Sequence, residues 1–268
     1  MIFRPRNIII FFVLILFLVF ISSNAKPPKY IRLAGSTAFQ PFAEKLAEIY
    51  MEKHPEIIVD VQGGGSAVGI MAVNQGIVDI GMVDMVSLPK ETLSLESVTV
   101  ARDGIAVIVH NSNKINNLTS QQLKNIFSGE IKNWKEIGGI TGSIRVISRE
   151  EGSGTRKSFD QLVLAGKRLT SEAMFQDSNG TIREAIKRDP NAIGYISIGF
   201  LNPEIKALSI DGFAANNENV KAGKYKIARP IYFILKPDPS LNTRDFVNFI
   251  LSDASQQILA DDGLIPIK

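Results

Sequence analysis

Residues 30–50, YIRLAGSTAFQPFAEKLAEIY, hold the pattern that decides the fold. Tyr30–Ala34 reads as a short strand and Gly35-Ser36-Thr37 as a turn able to cap a helix. Phe39, Phe42, Ala43, Leu46, Ala47 and Tyr50 then share one helical face. His54-Pro55 ends that helix, because a proline disfavours helical geometry in the residue before it. The pattern repeats at once: Ile57–Val61 as strand, Gly63-Gly64-Gly65-Ser66 as turn, Ala67–Asn74 as helix and Val78–Gly81 as strand. This β-turn-α-β-turn-α-β series predicts a parallel sheet with right-handed crossovers.

Moving outward, the apolar strand Gly104–Val109 opens a second series. Thr119 and Gln122 form a capping box for a helix through Ile126. Ile144–Ser148 reads as strand, Gly152-Ser153-Gly154-Thr155 as turn and Arg156–Leu164 as helix. Thr181–Lys187 (helix), Ala192–Ile196 and Lys206–Ser209 (strands) follow. Ile231–Leu235 is a strong late strand, with helices near Thr243–Leu251 and Ala254–Ala260. The 268 residues fit two α/β lobes of roughly 120 residues each better than one.

The chain opens with Arg4 and Arg6, then fourteen consecutive apolar residues, Ile8 to Ile21, then Ser22, Ser23, Asn24 and Ala25. A basic start, an apolar run and a Ser-x-Ala ending predict a secretory signal peptide over residues 1–25. As a helix the run reaches only ~21 Å, short of a hydrocarbon core of roughly 30 Å. An uncleaved membrane anchor is the alternative; either way the remainder is expected outside the cytoplasm, in the periplasm. There is no cysteine, which excludes disulfides, thiolate metal sites and a thiol nucleophile. Without residues 1–25 the chain keeps 28 of its 30 basic residues against 27 acidic ones. A net charge of +1 leaves no electrostatic footprint for nucleic acid.

Three turns share one design, a strand followed by a Gly/Ser/Thr turn and a helix: Gly35-Ser36-Thr37, Gly63-Gly64-Gly65-Ser66 and Gly152-Ser153-Gly154-Thr155. The first amides of a helix lack internal partners, and the helix dipole puts partial positive charge there. Glycine admits an anion close to the backbone, and Ser or Thr adds a hydroxyl, so such turns suit anions. Each alone reads as an ordinary N-cap; three together point to a site. Arg149 stands beside the third turn, where a guanidinium can give two parallel charge-assisted bonds to an oxyanion; the alternative is a surface salt bridge with Glu150 or Glu151. Asp84 is either a turn cap or a carboxylate that accepts a proton from a protonated anion and repels a proton-free one.

The segments A-G-S-T at 34–37, V-Q-G-G-G-S at 61–66, D-I-G-M at 79–82 and S-R-E-E-G-S-G-T-R at 148–156 resemble the phosphate-binding proteins of bacterial and archaeal phosphate importers. So do D-G-I-A-V-I-V at 103–109, I-F-S-G-E-I-K-N-W at 126–134 and N-A-I-G-Y-I-S at 191–197, and the likeness runs from Tyr30 to the C-terminus. The resemblance implies an α/β, two-lobe periplasmic-binding-protein fold of class II, with a sheet flanked by helices in each lobe. The interlobe crossings fall near Ile105–Val109 and Ala228–Tyr232, giving residues 26–106 and 231–268 to lobe I and 107–230 to lobe II. By motif, phosphate is held by Ser36, Thr37 and the Ala38 amide, by Ser66, Asp84 and Arg149, and by Ser153, Gly154 and Thr155. Glu151 matches an acidic position that buttresses the arginine. Val83 departs from the pattern, where relatives generally carry a serine. Implied with these are a monomer, the membrane permease of an ABC importer as partner, no cofactor, no metal and no nucleic acid.

Rival functions are an enzyme, a binder of sulfate or molybdate, and a tethered or soluble oxyanion sensor without transport. A hydrolase elbow needs Gly-x-Ser-x-Gly; Ser66 is followed at the second position by Val68, and Ser153 is preceded by Glu151. Gly166-Lys167 and Gly223-Lys224 are followed by Arg168 and Tyr225, so no phosphate-binding loop of the nucleotide type is present.

Overall fold

The computed structural model describes residues 28–267; the predicted signal segment 1–25 lies outside them. Among the described residues eleven strands are formed: β1 (Lys29–Gly35), β2 (Ile57–Gly64), β3 (Ile80–Val83), β4 (Glu96–His110), β5 (Asn117–Leu118), β6 (Arg145–Arg149), β7 (Met174–Gln176), β8 (Ala192–Ser197), β9 (Ile205–Ala207), β10 (Ser209–Ile210) and β11 (Ala228–Leu235). Nine of them make one sheet, eight in the order β2-β1-β3-β11-β4-β8-β6-β7 and β9 on β4; β5 and β10 pair separately. The first series is parallel, β1 pairing with both β2 and β3. A second parallel set is β8-β6-β7. Between the two lie β11 and β4, antiparallel to each other along their shared length.

β4 belongs to both sets. Its residues 96–104 pair with β11, and Ile105–Val109 pair with β8. The stretch Ile105–Val109 is wholly buried, which fits an unbroken apolar run covered on both faces. The expected strand Gly104–Val109 is thus the second half of a longer one. The first half carries Glu96, Thr99, Arg102 and Asp103, whose polarity hides it from an apolar-run criterion.

Two cores flank the β4/β11 ribbon. One gathers Leu33, Phe39, Leu46, Ile80, Phe233 and Phe246 with their neighbours. The other gathers Val107, Phe127, Ile147, Phe159, Ile193 and Tyr195. The helix Gln40–Lys53 buries Phe42, Ala43, Leu46, Ala47 and Tyr50 and stops at His54. Its stripe is the helical face expected from residues 39–50. The capping box at Thr119 and Gln122 opens the helix Ser120–Phe127. Elsewhere boundaries move. The helix expected at Arg156–Leu164 starts at Gly154 and ends in a π-helical turn, Asp160–Leu164. The strand expected at Lys206–Ser209 is split at Leu208, whose amide donates to Val107 O at 2.8 Å.

Leu46 is fully buried in the first core. Leu46→Ala should destabilise the protein by about 2–5 kcal/mol, the range for a core leucine replaced by alanine. Urea unfolding checks this; a loss below about 1 kcal/mol would mean that the helix Gln40–Lys53 packs loosely.

Candidate anion-binding site

Each of the three turns is shaped by what its glycines must approach. Gly35 has a φ of 135°, and a Cβ there would stand 2.2 Å from Met82 O. The turn can therefore leave β1 while the Ser36 amide donates to Met82 O at 2.8 Å. Ser36 Oγ accepts from the amides of Ala38 and Phe39 at 3.2 and 3.3 Å, so the Ala38 amide faces a protein oxygen. Gly65, with φ 89°, comes against the other core's turn: a Cβ would lie 2.9 Å from Gly152 O. The next residues bridge the cores, Ala67 N donating to Gly152 O at 3.1 Å. In the third turn Ser153 Oγ caps the helix Gly154–Phe159 by accepting from Arg156 N. This places the Gly154 and Thr155 amides in the first turn, without partners inside the helix.

β3 ends at Val83 and so delivers Asp84 between these turns, two residues beyond the strand end that the sequence suggests. Asp84 is buried. Its Oδ1 accepts from Ser66 Oγ at 2.7 Å and its Oδ2 from Thr155 Oγ1 at 2.7 Å. One carboxylate is thus gripped from both sides. Gly154 makes this approach possible, since a Cβ there would stand 2.2 Å from Ser66 Oγ and 2.6 Å from Asp84 Oδ1. An ionised carboxylate only accepts, so the single protons of both hydroxyls are committed to Asp84.

Arg149, at the end of β6, is 1% exposed, so the salt bridge it makes with Glu150 holds a buried guanidinium and not a surface one. Its Nε and Nη2 donate to Glu150 Oε2 and Oε1 at 3.0 and 2.9 Å. Nη2 also reaches Asp177 O at 2.9 Å and, across the cores, Thr37 Oγ1 at 3.1 Å. Nη1 is buried without a hydrogen-bond partner. The buttress expected from Glu151 is corrected: β6 ends at Arg149, Glu150 stays beside the guanidinium, and the turn carries Glu151 into solvent.

Arg229 is the residue that the sequence reading missed. It lies on β11 with its side chain fully buried. Its Nε and Nη2 donate to Asp84 Oδ2 at 3.1 and 2.8 Å, and Nη2 also to Thr155 Oγ1 at 3.2 Å. Nη1 stands 2.8 Å from Asp103 Oδ2, and Asp103 is the register partner of Arg229 across the β11/β4 pair. The one arginine in the otherwise largely apolar β11 was the available signal. Burial pushes the Asp84 carboxyl up, but the Arg229 charge and the Thr155, Ser66 and Arg229 hydrogen bonds together hold it below the usual carboxylate range. For Asp103 burial prevails over the Arg229 charge and pushes the carboxyl up to about 6. A groove of about 870 Å³ runs beside the turns, past Ile70, Met71, Met85 and Lys157; its lining is mostly apolar and includes none of the anion-turn hydroxyls.

The fold and site define a two-core protein that brings helix-starting turns and a buried arginine to the seam between the cores. Residues 22–254 match the model of the PBP superfamily domain. The chain is 34% identical over 242 residues to the phosphate-binding protein PstS of Bacillus subtilis, covering 88% of this chain and 80% of that protein. The phosphate-binding protein PstS of Borreliella burgdorferi is 29% identical, with 98% and 99% covered. A Clostridium perfringens crystal structure described as a phosphate ABC transporter substrate-binding protein with bound phosphate superimposes with a TM-score of 0.87 at 36% identity, covering 90% of this chain and all of that one. The chain belongs to the PBP superfamily and, within it, to the family of the PstS proteins.

Two outcomes follow from the geometry. Gly154→Ala should hold the two cores apart, because the new methyl collides with Ser66 and Asp84; solution scattering should give a larger radius of gyration than for the wild type, and identical profiles would mean that the close approach is dispensable. Asp103 has a folded pKa raised from 3.8 to about 6. Its contribution to stability is therefore complete below 3.8 and is lost as pH rises to about 6. Asp103→Asn should remove that decline from urea unfolding curves recorded across this window; parallel profiles for variant and wild type would contradict it.

Proposed function

We propose that this chain is the extracytoplasmic solute-binding component of an ABC-type importer, capturing inorganic phosphate between its lobes and delivering it to a membrane permease. The observation that carries this is Arg149: a fully buried guanidinium, locked by Glu150 and two backbone carbonyls, with Nη1 left unpartnered beside three helix-starting turns. An unmatched donor on a buried cation is costly unless an anion completes it. The relatives' names and the phosphate bound in the Clostridium perfringens protein support phosphate as that anion.

The lobe limits are kept at 26–106 with 231–268 and at 107–230, with residues 1–25 as an export signal. The presence of two hydrophobic cores on either side of β4 and β11 supports a division into two lobes. The binding set is Ser36, Thr37, Ala38, Ser66, Asp84, Arg149, Ser153, Gly154 and Thr155, in two roles. Arg149 Nη1, the hydroxyls of Ser36, Thr37 and Ser153, and the first-turn amides of Gly154 and Thr155 give hydrogen bonds to the anion. Ser66 and the Thr155 hydroxyl serve it indirectly, by closing the lobes on Asp84, and the Ala38 amide does so by orienting the Ser36 hydroxyl to which it donates. Six such donors at about 1.5–3 kcal/mol each supply about 9–18 kcal/mol, enough to reach the ~8–12 kcal/mol of micromolar to nanomolar binding with a margin at the upper end for closure and desolvation. In this reading the protein is a monomeric binder and not an enzyme, in line with the phosphate-binding names of its relatives.

Titration calorimetry with phosphate, sulfate, arsenate and molybdate tests the reading. Phosphate should bind at least tenfold more tightly than sulfate or molybdate, and a preference for either of those would overturn it. Arg149→Ala should weaken phosphate binding by more than a hundredfold with an unchanged circular dichroism spectrum. A variant within tenfold of wild type would remove Arg149 from the site.

A further inference from the structure

The three buried charges at the strand ribbon form a chain, Asp84–Arg229–Asp103, that none of the anion turns requires. Arg229 lies on β11 and Asp103 on β4, while Asp84 follows β3. The arginine is therefore anchored in the ribbon and presents its fork to the carboxylate that both lobes grip. Two of its nitrogens bond Asp84 Oδ2 and one of these also bonds Thr155 Oγ1. Thr155 Oγ1 thus accepts from Arg229 while donating to Asp84, which fixes its rotamer.

We propose that Arg229 is a positioning residue for anion binding: it balances the charge of Asp84 at the lobe seam and holds Thr155 in the orientation that closes the cleft. The inference rests on the anion-binding reading above. An unbalanced Asp84 would face the incoming anion with a buried negative charge. With Arg229 present, Asp84 remains an acceptor for Ser66 and Thr155 while its repulsion of the ligand is offset. Selectivity against proton-free anions is then set less by the bare charge of Asp84 than by its balance with Arg229. The charged groups gathered at the seam are Arg229 from β11, Asp103 from β4, and Arg149 with Glu150 from the end of β6.

The test is the phosphate Kd of wild type, Arg229→Gln and Arg229→Lys between pH 5.5 and 8.5, read as variant-to-wild-type ratios. Phosphate's own titration acts in the same direction, since its more charged form at high pH is repelled more strongly by an unbalanced Asp84. Without the guanidinium, Asp84 and Asp103 are buried carboxylates that take up protons more readily, so repulsion is greatest at high pH and fades as pH falls. For Arg229→Gln the ratio should exceed about tenfold at pH 8.5 and shrink toward pH 5.5. Arg229→Lys, which keeps the charge without the fork, should fall between. A ratio near one, or a loss that is the same at every pH, would overturn the proposal and leave Arg229 a packing residue. Should Arg229→Gln fail to fold, Arg229→Lys and the combined variant Asp84→Asn/Asp103→Asn/Arg229→Gln decide. The combined variant, with neither carboxylate left to repel, should show no loss at pH 8.5 beyond its loss at pH 5.5, and a ratio that still shrinks strongly toward low pH would overturn the proposal. Failure of wild type to bind phosphate at any pH would instead overturn the anion-binding reading itself.

Discussion

The structure turns on one carboxylate. Asp84 is taken out of water at the seam between two cores and is held there by a hydroxyl from each side and by a guanidinium from the ribbon below. A buried charge is tolerable only when paired and fully hydrogen-bonded, so Ser66, Thr155 and Arg229 must all be in place together. Because Ser66 and Thr155 belong to different cores, the requirement is met only when the cores meet. Local electrostatics is thereby converted into a global arrangement, with Gly65 and Gly154 clearing the backbone for it.

The ribbon gives this arrangement its footing. β4 runs through both halves of the sheet, antiparallel to β11 in the first and to β8 in the second, and the buried charge pair of β4 and β11, Asp103 with Arg229, sits at matched register. Replacing that pair with apolar residues need not weaken the fold, since buried ion pairs often return little net stability. Their placement under Asp84 gives them a functional reason to persist. Arg149 obeys the same logic from the other core. Its fork is braced by Glu150 and by carbonyls of Gln176 and Asp177, and Nη2 crosses the seam to Thr37.

Much of this was legible beforehand because it depends on local chemistry. Helical periodicity at residues 39–50, a capping box at Thr119 and glycines before helix starts are all written within a few residues. The family resemblance supplied the two-lobe architecture. What stayed hidden depends on contacts far apart in sequence. Arg229 meets Asp84 across 145 positions, and nothing near either residue announces the pairing. The choice of Glu150 over Glu151 is set by the one-residue point at which β6 stops. The first half of β4 was hidden because its partners, not its composition, make it a strand.

The account's central claim is that closure and anion capture share the Asp84–Thr155 contact across the lobes. A double-mutant cycle on phosphate affinity with Asp84→Ala, Thr155→Val and the double variant measures it directly. The account predicts a coupling of at least about 1 kcal/mol, with the second substitution costing far less once the first is present. Strict additivity of the two losses would show that the lobes close without this contact, and would contradict it.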